Sequence, residues 1–184
     1  MPIQHNEEAT EPRNFLRFCP HCGCGDFKSV NFKEFKCSDC GFNFFVNSAA
    51  AVVAILFDDN GRLLLTRRAR NPFEGYLDLP GGFVDPGESA EEALRREVKE
   101  ELCVDVESAH FLCSQPNEYI FSGFKVRTTD LAFICKVKAT PTACADDVAS
   151  FEWRAPADID ISEIAFTSIK KIVATALTVL GKNV

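Results

Sequence analysis

The sequence predicts an α/β chain, a mixed sheet covered on both faces by helices and preceded by a small zinc ribbon. Three observations carry this. Two Cys-x-x-Cys pairs stand before residue 48, Ala50 to Phe57 is a continuous apolar run, and amphipathic stretches follow at 88–102 and 162–180. A short unbroken apolar run suits a strand buried on both sides. A helix with one apolar stripe must bury it against another layer.

The chain opens on a polar stretch, residues 1–18, expected as a tail. Cys19-Pro-His-Cys22 and Cys37-Ser-Asp-Cys40 follow, each trailed by Gly, with 14 residues between the pairs. Two such knuckles suit a zinc ribbon over 19–47, in which Cys19, Cys22, Cys37 and Cys40 are the ligands. Thiolate is soft, so zinc is favoured over magnesium or calcium. Cys24 reads as a spectator and His21 as an exposed loop residue. Cys103, Cys113, Cys135 and Cys144 sit among apolar neighbours and read as small buried hydrophobes. Phe27, Val30, Phe32, Phe35, Phe42, Phe44 and Phe45 are too many apolar groups for so small a ribbon to bury alone. They pack on the rest of the chain or form a surface, and Lys28, Lys33 and Lys36 among them would suit base stacking.

After a short link at Asn47-Ser48 the main domain is expected over 48–184. Asp58-Asp59-Asn60-Gly61 reads as a turn that returns Leu63-Leu64-Leu65 as the partner of the first strand. Arg67, Arg68 and Arg70 either meet substrate phosphate or solvate a strand end. Leu77 to Leu79 enters Pro80-Gly81-Gly82, whose backbone can approach a ligand. Strands are expected at 104–113, 126–137 and 151–153. The last helix is expected from a cap at Ser162 to Leu180.

The stretch 82–104 carries the chemistry. Positions three and four apart share a helix face, so Glu97, Glu100 and Glu101 cluster, while Leu94, Val98 and Leu102 form the apolar stripe. Carboxylates crowded this closely repel one another unless a cation sits among them. Oxygen donors without His or Cys suit Mg²⁺ or Mn²⁺.

At these residues the chain resembles the Nudix hydrolases. Gly82, Glu88, Arg96, Glu97, Val98, Glu100, Glu101 and Val104 fall on that family's motif, and Cys103 stands where the family has Gly. The resemblance implies an α/β/α sandwich over about 48–184 and hydrolysis of a pyrophosphate bond. It implies that Glu97 and Glu101 ligate Mg²⁺ or Mn²⁺ beside the Gly81 carbonyl. Glu100 would support them and Arg96 would orient them. It also implies a further acid in a loop before Trp153, a place held by Asp146 or Asp147.

The four-Cys ribbon before such a domain resembles the NADH pyrophosphatase branch. Ser114-Gln115-Pro116 matches the start of that branch's marker, but Asn117 to Phe121 departs from it, with Ser122 matching again. Only 18 residues precede Cys19, too few for that branch's N-terminal domain. Gln115, Tyr119, Phe121 and Arg67 are the residues expected to meet substrate. Tyr119 or Phe121 would stack on a base, or else fill the core or a dimer contact. The expected substrate is NADH or NAD. Alternatives are ADP-ribose, a nucleoside triphosphate, or a non-catalytic role in sensing nucleotides.

Composition narrows the setting. The formal net charge of −7 argues against bulk attraction of nucleic acid, so a small nucleotide is the expected partner. No apolar run reaches a membrane span, and the N-terminus lacks the build of a secretory signal. A cytoplasmic protein is expected, possible as a homodimer.

Overall fold

The computed structural model describes residues 7–142 and 148–182. The chain forms two compact units, Met1–Ser48 with Glu118–Arg127, and Ala49–Asn117 with Thr128–Val184.

In the first unit, 3-10 turns at Glu7–Thr10 and Pro12–Asn14 lead to three strands, β1 (Phe27–Ser29), β2 (Glu34–Cys37) and β3 (Asn43–Phe45). They pair antiparallel in the order β1-β2-β3. Cys19, Phe27, Phe35 and Cys37 are its buried centre, flanked by Leu16, Cys24, Phe42 and Val46. Phe27 stacks on Phe35 with ring centroids 5.7 Å apart. The polar lead is tied down by charge. Glu11 accepts from Arg127 at 2.9 Å and pairs with Lys125 at 2.9 Å, while Lys125 also meets Glu118 at 3.0 Å.

The second unit holds β4 (Ala49–Leu56), β5 (Leu63–Arg68), β6 (Leu77–Asp78), β7 (Gly81–Phe83), α1 (Ala90–Leu102) and most of β8 (Val106–Phe121) and β9 (Phe124–Val137). β10 (Val148–Arg154) and α2 (Thr167–Lys182) complete it. One sheet runs β7-β4-β9-β8 and the other β10-β5-β6. β4 is central, parallel to β9 and antiparallel to β7. Its alternate side chains explain the layers. Val52, Ala54 and Leu56 join Leu94, Val98 and Leu102 of α1 in one core, and Val53 and Ile55 join Ile169, Ile172 and Val173 of α2 in the other. The result is the α/β/α sandwich, each helix burying its stripe on one face.

Four expectations need correction. Leu63–Leu65 does not return as the sheet partner of the first strand. Beyond a single bridge between Phe57 and Leu63, β5 pairs with β10 and β6 instead. A strand buried on both faces needs two inner neighbours, and β9 and β7 take those places. The strand expected at 104–113 runs on through Pro116 to Phe121, tolerated because β8 is an edge strand. Ser162 is not the cap of the last helix. Its N–H donates to Asp160 Oδ1, closing a 3-10 turn at Ile161–Glu163. The Ala165 N–H is then taken by the Leu77 carbonyl at 2.8 Å, so α2 begins only at Thr167. Cys103 is not buried. It is exposed and disulfide-bonded, and at the end of α1 it takes the left-handed conformation, φ 55° and ψ 27°. Its N–H bonds the Lys99 carbonyl, so the cap geometry survives without Gly.

Candidate active site and thiolate centre

The turn before α1 is held from both sides. The Asp85 N–H donates to Glu88 Oε2, and Ser89 and Glu92 exchange side-chain to backbone bonds in a capping box. α1 therefore starts at a fixed point, and its register delivers Arg96, Glu97, Glu100 and Glu101 together.

Arg96 is the hub. Its guanidinium grips Glu88 with two bonds of 3.0 and 2.9 Å, Glu97 Oε1 at 2.7 Å, Glu100 Oε2 at 3.2 Å and the Phe83 carbonyl at 3.1 Å. The Arg96 charge holds the Glu88 carboxyl below its ordinary range, and these carboxylates in turn raise the guanidinium pKa. The repulsion expected of the acidic face is thus met within the chain. Glu101, only 7% exposed, is held differently: the Gly81 N–H donates to its Oε2 at 3.0 Å. Gly82 lies against Glu97, where an added Cβ would fall 2.3 Å from Oε1.

These residues fit a hard divalent cation. The donors are all oxygen, Glu97 and Glu101 are largely withdrawn from solvent, and the bare glycine backbone at Gly82 lets the Glu97 carboxylate lie directly against it. The structure brings together five of the expected residues: Gly81, Arg96, Glu97, Glu100 and Glu101. Asp146 and Asp147 lie outside the described residues. Arg67 sits on β5, bonded to Glu152 Oε1 at 2.9 Å and to the Gly75 carbonyl. Gln115 is half-buried on β8, while Tyr119 and an exposed Phe121 belong to the first unit.

Sequence reasoning gave Glu88 no role at the site, although it stands on the motif. It also missed a buried polar group behind the Pro80-Gly81-Gly82 turn. Asp78 accepts from Arg68 at 2.8 Å and from the Leu79 N–H at 2.9 Å, and burial raises its pKa despite Arg68. Arg68 in addition lies over the Phe166 ring at 4.9 Å. No spacing signal could have joined residues so far apart in sequence.

In the first unit, the donors of Cys19, Cys22, Cys37 and Cys40 all lie within 4.8 Å of one another, the only such group among the described residues. Cys19 and Cys40 sulfurs stand 3.7 Å apart and Cys22 and Cys37 sulfurs 3.6 Å. Tetrahedral zinc with bonds of about 2.3 Å sets sulfurs about 3.8 Å apart, so the cluster has the size zinc requires. Gly23 and Gly41 have φ of 76° and 73° and close the two knuckles by bonding the Cys19 and Cys37 carbonyls. The Cys40 and Asp39 amides pull the Cys37 thiol down to about 7.

Comparison with known proteins agrees with this geometry. The model of the NUDIX domain matches residues 47–175. The chain belongs to the Nudix family. It is 32% identical over 101 residues to an NAD-capped RNA hydrolase of Vibrio atlanticus, covering 55% of this chain and 37% of that protein. It is 48% identical over 60 residues to an ADP-ribose pyrophosphatase of Methanocaldococcus jannaschii, covering 33% of this chain and 35% of that one. The chain thus spans about a third of the length of these curated relatives. Among solved structures, a MutT NUDIX hydrolase from Burkholderia pseudomallei superposes with a TM-score of 0.62 at 26% identity, covering 71% of this chain and 98% of that one. The NUDIX domain of Shewanella oneidensis NrtR, complexed with ADP ribose, gives 0.60 at 25%, covering 74% and 90%. No helix among the described residues is long and apolar enough to cross a membrane.

Proposed function

We propose that this Nudix protein hydrolyses the pyrophosphate linkage of NADH or NAD, using Mg²⁺ or Mn²⁺, to give AMP and a nicotinamide mononucleotide. The observation that carries the substrate is the likeness to NAD-capped RNA hydrolases in a chain that also bears the four-thiolate cluster. Glu97 and Glu101 would hold the cation with the Gly81 backbone, and Glu100 would support them. When bound, the cation neutralises the diphosphate oxygens and lowers the pKa of water. Arg96 aims Glu97 and Glu100 by ion pairing, and the glycine pair admits the substrate close to them. Asp147, or its neighbour Asp146, would add a further acid. Gln115, Tyr119, Phe121 and Arg67 would meet the rest of the dinucleotide. Zn²⁺ would be structural, since four protein ligands leave no open position. We place the protein in the cytoplasm and as a homodimer.

The alternative is ADP-ribose as substrate, favoured by the 48% identity to the archaeal ADP-ribose pyrophosphatase over residues of this chain. The deciding experiment is a product assay with Mg²⁺ or Mn²⁺ on NADH, NAD, ADP-ribose and nucleoside triphosphates. Efficient release of AMP from the two dinucleotides supports the proposal. Turnover confined to ADP-ribose or triphosphates replaces it with the alternative. A base stacked on Tyr119 or Phe121 would show as a raised KM with little change in kcat on substitution by Ala.

A further inference from the structure

The ribbon buries only part of its aromatic content. Phe27 and Phe35 are enclosed, but Phe32 is 75% exposed, Val30 57% and Phe45 45%. Their placement follows from strand register. Lys28 lies opposite Lys36, and Lys36 opposite Asn43, while Glu34 lies opposite Phe45. Directly opposed residues share a face, and so do residues two apart along a strand. Lys28, Lys36, Asn43 and Phe45 therefore lie on one side of the sheet, with Glu34, tied to the Asn31 amide at 3.0 Å, among them. Val30, whose N–H bonds the Glu34 carbonyl, continues that row, and Phe32 and Lys33 form the turn beside it. Phe35 and Cys37 occupy the opposite side, turned toward the thiolate centre.

The charge of the chain is unevenly placed. The unit containing the ribbon has 7 acidic and 7 basic residues, whereas the other has 20 and 13. The whole excess of −7 belongs to the second unit. Within the first, Glu11 and Glu118 are spent on Lys125 and Arg127, and Asp26 on Lys28. Lys33 and Lys36 have no ion pair among the described residues, and both are exposed. Exposed rings with unengaged ammonium groups beside them make a surface that stacks bases and tracks a phosphate backbone. A surface made for a second copy of an acidic chain would have less use for lysines at its centre, where interfaces are depleted of them.

We propose that this face of the ribbon binds single-stranded nucleic acid, stacking bases on Phe32 and Phe45 and meeting phosphates with Lys33 and Lys36. The local arrangement overrides the argument from net charge, because screening confines the field of the second unit to about 10 Å at ordinary salt. The binding is independent of the hydrolase reading, since an uncapped strand offers no dinucleotide linkage.

The test uses the full chain with zinc retained and a fluorescein-labelled, uncapped oligouridylate of about 15 nucleotides, read by anisotropy. The wild type is expected to bind at low salt, more tightly than it binds a duplex of equal length, and to weaken as salt rises. The Phe32→Ala/Phe45→Ala variant is expected to bind about 10- to 100-fold more weakly. Lys33→Glu/Lys36→Glu should also weaken binding and flatten its salt dependence. Zinc content and dinucleotide hydrolysis should be unchanged in both. No binding by the wild type, or equal binding by the variants, overturns the proposal. A wild-type dimer that the Phe variant splits without altering strand binding would assign the face to self-association instead.

Discussion

Gly82 and Glu97 are in a contact that leaves no room for a side chain: an added Cβ would stand 2.3 Å from one carboxylate oxygen and 2.8 Å from the other. The atoms in the way are the end of a flexible side chain, so the backbone need not move. We expect Gly82→Ala to fold with nearly normal thermal stability while losing hydrolysis by roughly 100-fold, as Glu97 swings off its station. Circular dichroism melting beside a turnover assay checks both halves. Gly81→Ala should behave oppositely, because its Cβ would meet the Val52 carbonyl at 2.0 Å, at a φ of 147°. There the fold itself should suffer.

Glu101→Gln keeps the shape of the side chain and an oxygen for the Gly81 N–H. Only charge is lost. Turnover should fall about 100-fold or more, several kcal/mol of transition-state stabilisation. Near-normal rates in saturating Mg²⁺ would remove Glu101 from the metal site.

Arg96→Met removes the cation shared by Glu88, Glu97 and Glu100. The remaining carboxylates should repel, so the apo protein should melt lower than wild type. Added Mg²⁺ should then raise its Tm by more than it raises that of the wild type. Equal metal responses would mean that Arg96 does not relieve the acidic face.

Elemental analysis of protein purified without chelator should find one zinc per chain. The Cys37 thiol, lowered to about 7 by backbone amides, competes with protons for metal. Zinc loading should release protons and weaken as pH falls. Cys37→Ser should lose the metal. Paired disulfides among the four cysteines, with no zinc, would refute the assignment.

Lys125, and after it Arg127, holds the Glu11 carboxyl below its ordinary value of 4.5. A depressed carboxyl stabilises the native form above its unfolded pKa and ceases to as pH falls through the folded one. The 3-10 turns at residues 7–14 should therefore lose amide protection in acid, below 4.5. Lys125→Met should move that loss to higher pH. Protection unchanged by acid would show that the ion pairs do not hold the segment.

What could be read in the sequence was what short spacing determines. The cysteine knuckles and the Arg96–Glu101 register are each set within a few residues, and the structure assembles both. The core faces of β4 and α1 were also visible as apolar patterns. What escaped depends on distant partners. That β4 and β5 part company is decided by residues 128–135 and 148–154, which no local pattern names. Arg67 is drawn to Glu152, 85 positions away. Ser162 had the composition of a cap, but the Ala165 amide it would have bonded is taken by the Leu77 carbonyl. Cys103 looked apolar by its neighbours, yet it follows a helix end that faces water.

Pro116 has a consequence for the chain's behaviour in crowded solution. β8 is an outer strand of 16 residues, long enough to template the addition of a foreign strand. An edge strand accommodates Pro where its nitrogen faces away from the paired neighbour, and with no hydrogen there to offer, an incoming ladder meets a gap partway along. The protein thereby carries a long hairpin without presenting an unbroken edge on which fibrils could grow.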